Sequence, residues 1–291
     1  MVWPGISFGG PVTLRIIFPE DAADRATEVT QQRALETTFE SLVLPPIRPR
    51  IATEPETRLE EIEVDGQKEL REVVVRRPLE ISSLLEVGRL SLLDADGTQV
   101  AVKALLEQSW ESGLNLSLNL GFEHFNLDDG DGDGNSYLVN LGAHQEFLNG
   151  LVKLGGLLTW RFVDTDVVDV RQEVHSFGFG IFAAMEKDLG PLIVSGGMIY
   201  QFLQDTGDLE RSNHLLSYGL EVGIPLGQRF IINLEAFQIN NVGRDEDPVI
   251  IGAGGTFYVT KQWGVTLGWK TILNVDGFTS HEGVVGASAR F

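Results

Sequence analysis

From position 114 the chain alternates strictly, as in Leu114-Asn115-Leu116-Ser117-Leu118-Asn119-Leu120-Gly121-Phe122, with apolar side chains on even positions and polar or small ones on odd positions. A period of two marks a strand whose two faces meet different surroundings. Such alternation defines ten runs, at 112–126, 136–148, 151–163, 175–187, 192–204, 214–226, 228–241, 248–260, 262–273 and 282–291. Most exceed the ~5–6 residues usual for a strand. The connections between them alternate in length. Those at 127–135, 164–174, 205–213, 242–247 and 274–281 are long and acidic, whereas 149–150, 188–191, Gly227 and Lys261 are tight. Long strands with tight turns at one end and longer loops at the other predict an antiparallel barrel that crosses a bilayer. An even strand count puts both ends of the barrel on the short-turn side.

Parity assigns the faces. The outward sets are Leu114, Leu116, Leu118, Leu120 and Phe122; Val152, Leu154, Leu158, Trp160 and Phe162; Phe230, Ile232, Leu234 and Ala236; and Trp263, Val265, Leu267 and Trp269. None carries a charge. The inward sets include Asn115, Asn119, Glu123, Asn140, His144, Glu146, Lys153, Arg161, Gln201, Glu221, Arg229, Asn233, Glu235, Lys270 and Arg290. A soluble barrel would invert this arrangement. Aromatic residues fall at both ends of the strands, as the two interfacial girdles of a membrane barrel require.

Upstream the pattern changes. Residues 12–18 read as a strand and 22–42 as an acidic amphipathic helix with Ala34, Leu35, Phe39 and Leu42 in one stripe, closed by Pro45-Pro46 and Pro49. Residues 59–77 alternate around Asp65-Gly66 and suggest a hairpin, and Asp94-Ala95-Asp96-Gly97 suggests another within 80–107. The predicted fold is all-β, an antiparallel transmembrane barrel of about ten strands, or twelve with the extra hairpin, preceded by an α+β or extended periplasmic segment. The expected divisions are 1–85 as a collar, plug or docking region, 86–111 as a linker or extra hairpin, and 112–291 as the barrel.

Composition sharpens the division. Residues 1–110 hold 31 charged residues, 8 Pro and 6 Gly, against 33, 3 and 27 in residues 111–291. The net charge of −20 argues against nucleic acid as a partner. Zero cysteines exclude disulfides, thiolate metal sites and a cysteine nucleophile. Residues 1–10 lack the basic start of a secretory leader, and Pro4-Gly5 interrupts their short apolar run, so either the numbering begins after cleavage or otherwise past the leader, as expected here, or the membrane reading fails.

The chain ends on Gly286-Ala287-Ser288-Ala289-Arg290-Phe291, a strand with a terminal aromatic. With the strand and loop grammar above, it resembles the outer-membrane β-barrel superfamily of diderm bacteria. Residues 175–291 are similar to the small transporter barrels of gene clusters for degrading phenol and other aromatics, through Lys187-Asp188-Leu189-Gly190-Pro191, Asn233-Leu234-Glu235 and Gly254-Gly255-Thr256-Phe257-Tyr258. The resemblance implies a bacterial outer-membrane location, with both termini periplasmic and the long acidic loops extracellular. It also implies Phe291 as an assembly signal read by the barrel-assembly machinery, contact with membrane lipid and lipopolysaccharide, and passage of small molecules through a narrow channel.

Among candidate chemistries, Asp129, Asp131 and Asp133 with Gly134 begin like a calcium loop, but the twelfth position, where a bidentate Glu belongs, is Asn140. A solvated acidic loop or divalent bridging to lipopolysaccharide phosphate are the other readings. Four histidines, His124, His175, His214 and His281, fall at the long-loop ends and could line a metal or hydrolytic rim, although His also suits an interfacial zone. The pairs His175-Ser176 and Ser280-His281 point to opposite faces, and no enzymatic activity is expected. Glu146, Lys153, Glu221, Arg229 and Arg290 lie toward the short turns, where one ionic network could close the lumen. That network favours a second function, a structural or anchoring barrel with a sealed lumen that docks a periplasmic or surface protein through its N-terminal region. No cofactor is expected.

Overall fold

The computed structural model describes residues 19–44, 47–48, 56–64, 67–75, 79–92, 95–128, 132–148, 150–242, 247–275 and 278–291. The suspected strand at 12–18 and the Asp65-Gly66 turn lie outside them. The described chain opens with helix α1 (Pro19–Leu42), followed by a two-stranded antiparallel hairpin, β1 (Glu56–Val64) and β2 (Gln67–Val75). Pro19 suits the first position of a helix, where its missing N–H would have no intrahelical partner.

Twelve strands then close into one antiparallel barrel. They are β3 (Leu79–Leu92), β4 (Ala95–Ser109), β5 (Leu114–Leu127), β6 (Gly132–Phe147), β7 (Val152–Val167), β8 (Val170–Asp188), β9 (Ile193–Gly207), β10 (Arg211–Leu226), β11 (Phe230–Asn241), β12 (Val249–Tyr258), β13 (Trp263–Val275) and β14 (Phe278–Arg290). The extra hairpin supplies β3 and β4, which makes twelve strands rather than ten. The barrel starts at Leu79, ahead of the expected boundary at residue 85. Closure is antiparallel between β14 and β3, and Leu79 and Phe291 exchange backbone hydrogen bonds of 3.3 and 2.8 Å at the short-turn end.

Parity holds round the wall. Outward Leu116, Leu154, Trp160, Leu234, Val265 and Trp269 are 44–48% exposed. Inward Asn119, Asn140, Thr159, Gln201 and Lys270 are at most 1% exposed. An apolar exterior and a polar interior are what lipid outside and hydrogen-bonding partners inside demand.

Two expectations change. The long connections at 164–174 and 205–213 are mostly strand, so β7 and β8 run on to a two-residue turn at Val168 and Asp169, with φ of 53° and 61°. Charged partners face each other across this extension, where Arg171 donates to both oxygens of Asp164 at 3.1 Å. In the N-terminal region, read as a collar, plug or docking segment, α1 lies inside the barrel.

Candidate functional site

The lumen and the helix that fills it form the site. At the upper end of α1, Thr27 Oγ1 lies 2.8 Å from Thr165 Oγ1 and donates to Gln172 Oε1 at 2.9 Å, beside the β7–β8 turn. Beyond its lower end, Arg48 pairs with Glu80, which also accepts from Arg290 Nε at 3.3 Å beside the short turns. The chain therefore descends the lumen from the long-loop mouth to the short-turn mouth. At 24 residues, α1 is about 36 Å long, enough to cross the ~30 Å hydrocarbon core.

Three layers hold it. Near the long-loop mouth Asp205, wholly buried on β9, accepts from Ser176 Oγ at 2.6 Å, Asn213 Nδ2 at 2.5 Å and the guanidinium groups of Arg161 and Arg211, each at 3.3 Å. Those two arginines also grip the helix, through the carbonyl and side-chain oxygens of Gln31, both at 3.0 Å. Around this layer the lumen is apolar, with Leu90, Phe125, Leu203, Ile239 and Phe278 in one cluster with Ala22, Ala26 and Val29 of the helix. The interior is thus not uniformly polar, because the helix itself supplies an apolar partner.

The middle layer is ionic. Arg33 of α1 pairs with Glu123 and, at 2.6 Å, with Glu282. Lys270 pairs with Glu36 of α1 and lies 2.8 Å from Glu86, 3.5 Å from Glu40 and 3.6 Å from Glu282. Lys103 lies 2.8 Å from Glu40 and 2.9 Å from Glu86. Barrel carboxylates thus hold the helix arginine, while barrel lysines hold the helix carboxylates. Removing one member of such a buried group typically costs about 3–5 kcal/mol, because the partners keep their desolvation penalty and lose their counter-charge. Asn119 and Asn140 complete the layer, donating to the Thr37 carbonyl at 3.3 Å and Thr38 Oγ1 at 2.8 Å.

The lowest layer depends on missing side chains. A Cβ built on Gly197 would meet Val43 Cγ1 at 2.6 Å, and one on Gly223 would meet Ile47 Cγ2 at 2.8 Å. Only glycine lets the descending chain lie this close to the wall at these two points. Ile47 also packs with Ile193 and Ile231. Beside the helix, the voids around Val29 and Arg33 are each about the size of one water.

The five residues of the expected short-turn network are distributed over four places. Glu146 and Lys153 form one pair at 3.9 Å, Arg290 joins Glu80, Glu221 accepts from the Ile47 N–H at 3.4 Å, and Arg229 is exposed and donates to the Val259 carbonyl at 3.3 Å. Parity places a side chain inward but gives no height, and Arg229 stands past the end of the wall. The charges that do converge include Glu123 and Lys270, which parity placed inward. Glu36, Glu40, Glu86, Lys103, Asp205 and Glu282 were missed, in part because they lie on the helix, on the two strands of the extra hairpin, or within segments read as loops.

All four long-loop-end histidines face outward, against aromatic or polar neighbours on the adjacent strands. His175 lies 4.8 Å from the Phe162 ring, His214 Nδ1 2.6 Å from Tyr200 Oη, and His124 Nδ1 3.1 Å from Asn135 Oδ1. Asp129 and Asp131 lie outside the described residues. Asp133 is exposed on β6, directly opposite Asp166. Among the described residues no cluster of three or more His, Asp or Glu is placed to hold a metal.

No family model matches the chain, and no curated protein matches it. Solved structures do. The translocator domain of the autotransporter NalP from Neisseria meningitidis superposes with a TM-score of 0.58 at 14% identity, over 93% of this chain and 98% of that one. The β domain of the Bordetella autotransporter BrkA gives a TM-score of 0.56 at 14% identity, over 74% of this chain and 100% of that one. The fold shared with these two domains is the closed antiparallel β-barrel.

Proposed function

We propose that the protein is a self-sealed outer-membrane barrel, an anchor of translocator type that holds its own N-terminal segment across the membrane. The observation that carries this reading is α1 itself, a full-length helix buried in the lumen on described positions all round and fixed at three heights by hydrogen bonds and ion pairs. The long-loop end then faces outward and the short turns face the periplasm, so α1 has its first residue, Pro19, toward the outer mouth. The fold is shared with two autotransporter barrels, one of them a translocator domain, which supports a translocator-type reading. The barrel-assembly machinery and lipopolysaccharide are partners in this reading, and the β1–β2 hairpin, with Leu59 and Leu70 about two-thirds exposed, is left at the periplasmic mouth for a protein partner.

A second reading, a gated channel for small molecules, draws on the polarity of the seat. Ion pairs and hydrogen bonds can be exchanged for water when a helix leaves, and the emptied barrel would then conduct. Conductance in planar bilayers tests the first reading. The full chain is expected to be silent and a chain lacking residues 1–48 to show discrete steps. Steps in the untreated full chain would end the sealed-barrel reading.

A further inference from the structure

Between the two rims Arg89 of β3 is the one charged side chain among the described residues on the outward face of the wall, exposed at the seam where the barrel closes. Its direct partner across the seam is His281 of β14, also exposed and outward. Arg89 makes no ion pair among the described residues. The outward positions of β13 and β14 carry no described carboxylate, and the acid on the other side, Asp96 of β4, stands opposite Ser91, one outward position above Arg89. Two basic side chains placed directly opposite each other repel once the imidazole is charged, so the pair is unfavourable unless an anion lies between them.

The surroundings supply the rest of a pocket. Trp269 stacks on the His281 ring, with centroids 6.3 Å apart and planes 12° apart. The outward hydroxyl-bearing residues Ser91 and Thr279 face each other one step above. One step below lies Gly283, where a Cβ would meet only the Val87 carbonyl oxygen at 3.7 Å, which leaves an open notch between Val87 and Trp269 on the lipid-facing wall. A polar site therefore sits directly above a gap in the side chains of the wall.

The imidazole geometry selects the ligand's charge. Thr271 Oγ1 donates its one proton to the Ser280 carbonyl at 2.8 Å, so it accepts from His281 Nδ1–H at 2.8 Å. Nε2 is then an acceptor in the neutral ring and becomes a donor only when the ring is protonated. We propose that the Arg89–His281 seam binds the phosphate of an outer-leaflet lipid, with the guanidinium and the protonated imidazole on the phosphate and an acyl chain along the Gly283 notch. Phosphate is the natural occupant for a planar guanidinium fork at headgroup depth.

The test titrates the detergent-solubilised full chain with bisphosphorylated lipid A and with its dephosphorylated form, following intrinsic Trp fluorescence. The phosphorylated lipid is expected to bind at least tenfold more tightly. Arg89→Gln should abolish the preference for phosphate, His281→Gln should reduce it, and Gly283→Leu should weaken the binding of both lipids. Each variant is first shown to keep the heat-modifiable electrophoretic mobility of a closed barrel. Equal affinity for the two lipids, or an Arg89→Gln protein that still prefers phosphate, overturns the proposal.

Discussion

Lys270 shows how one residue can hold two structures together. It is 1% exposed and reaches Glu36 and Glu40 of the helix as well as Glu86 and Glu282 of the wall. Lys270→Met keeps the length of the side chain but removes the charge these carboxylates share. The expected loss of about 3–5 kcal/mol falls on the seat of the helix. The barrel should still close, while the full-length variant gains conductance that the parent lacks. Arg171→Gln is the contrast, because the Arg171–Asp164 pair is solvent-exposed and screened, and unfolding temperature and conductance should not change. A Lys270→Met protein as silent as the parent would show that the ionic layer does not retain the helix. Parity alone places Lys270 in the lumen, so half of this contact is legible in the sequence. The other half, Glu36, is not, because the apolar stripe through Phe39 and Leu42 suggests a helix lying on a surface with its acids in water.

The same misreading explains the helix as an element. Amphipathic patterning assumes one apolar neighbour and one aqueous one. Inside a barrel both sides of α1 are protein, and Arg33, Glu36, Thr37 and Thr38 are buried along with Phe39. Location can be tested directly because the chain has no cysteine of its own. A Thr27→Cys, Thr165→Cys double variant should cross-link spontaneously in the membrane, since the two hydroxyl oxygens lie 2.8 Å apart. An anchor should work unchanged when locked, whereas a gated channel should lose flux until reduced. The β7–β8 extension is a second element hidden from the sequence, because its charged residues read as loop although their cross-strand pairing extends the wall. Its turn places Val168 at φ 53°, a left-handed conformation costly for a β-branched residue. Val168→Asn should therefore stabilise the hairpin by about 1 kcal/mol, slowing amide exchange near the turn roughly fivefold. Unchanged exchange would mean that the turn opens independently of this strain.

At the scale of the whole molecule the wall was legible and its contents were not. Alternation is a local signal repeated in every strand, so outward Leu116 and Trp269 and inward Asn119 follow from position alone. The pairing of β14 with β3 joins residues about two hundred positions apart, and only the even strand count points to it. That closure gives Phe291 two separable roles. Its backbone exchanges the last hydrogen bonds with Leu79, while its half-exposed ring meets Trp263 edge-on at a centroid distance of 6.1 Å. Phe291→Ala removes the ring and keeps both backbone bonds, so protein refolded into detergent should form a barrel of nearly unchanged stability. If the terminal aromatic is what the assembly machinery reads, the same substitution should lower the amount of heat-modifiable barrel in cell envelopes several-fold. Equal amounts of parent and variant in the envelope would reduce Phe291 to its backbone, and the closing strand would then owe its assembly to pairing with β3 alone.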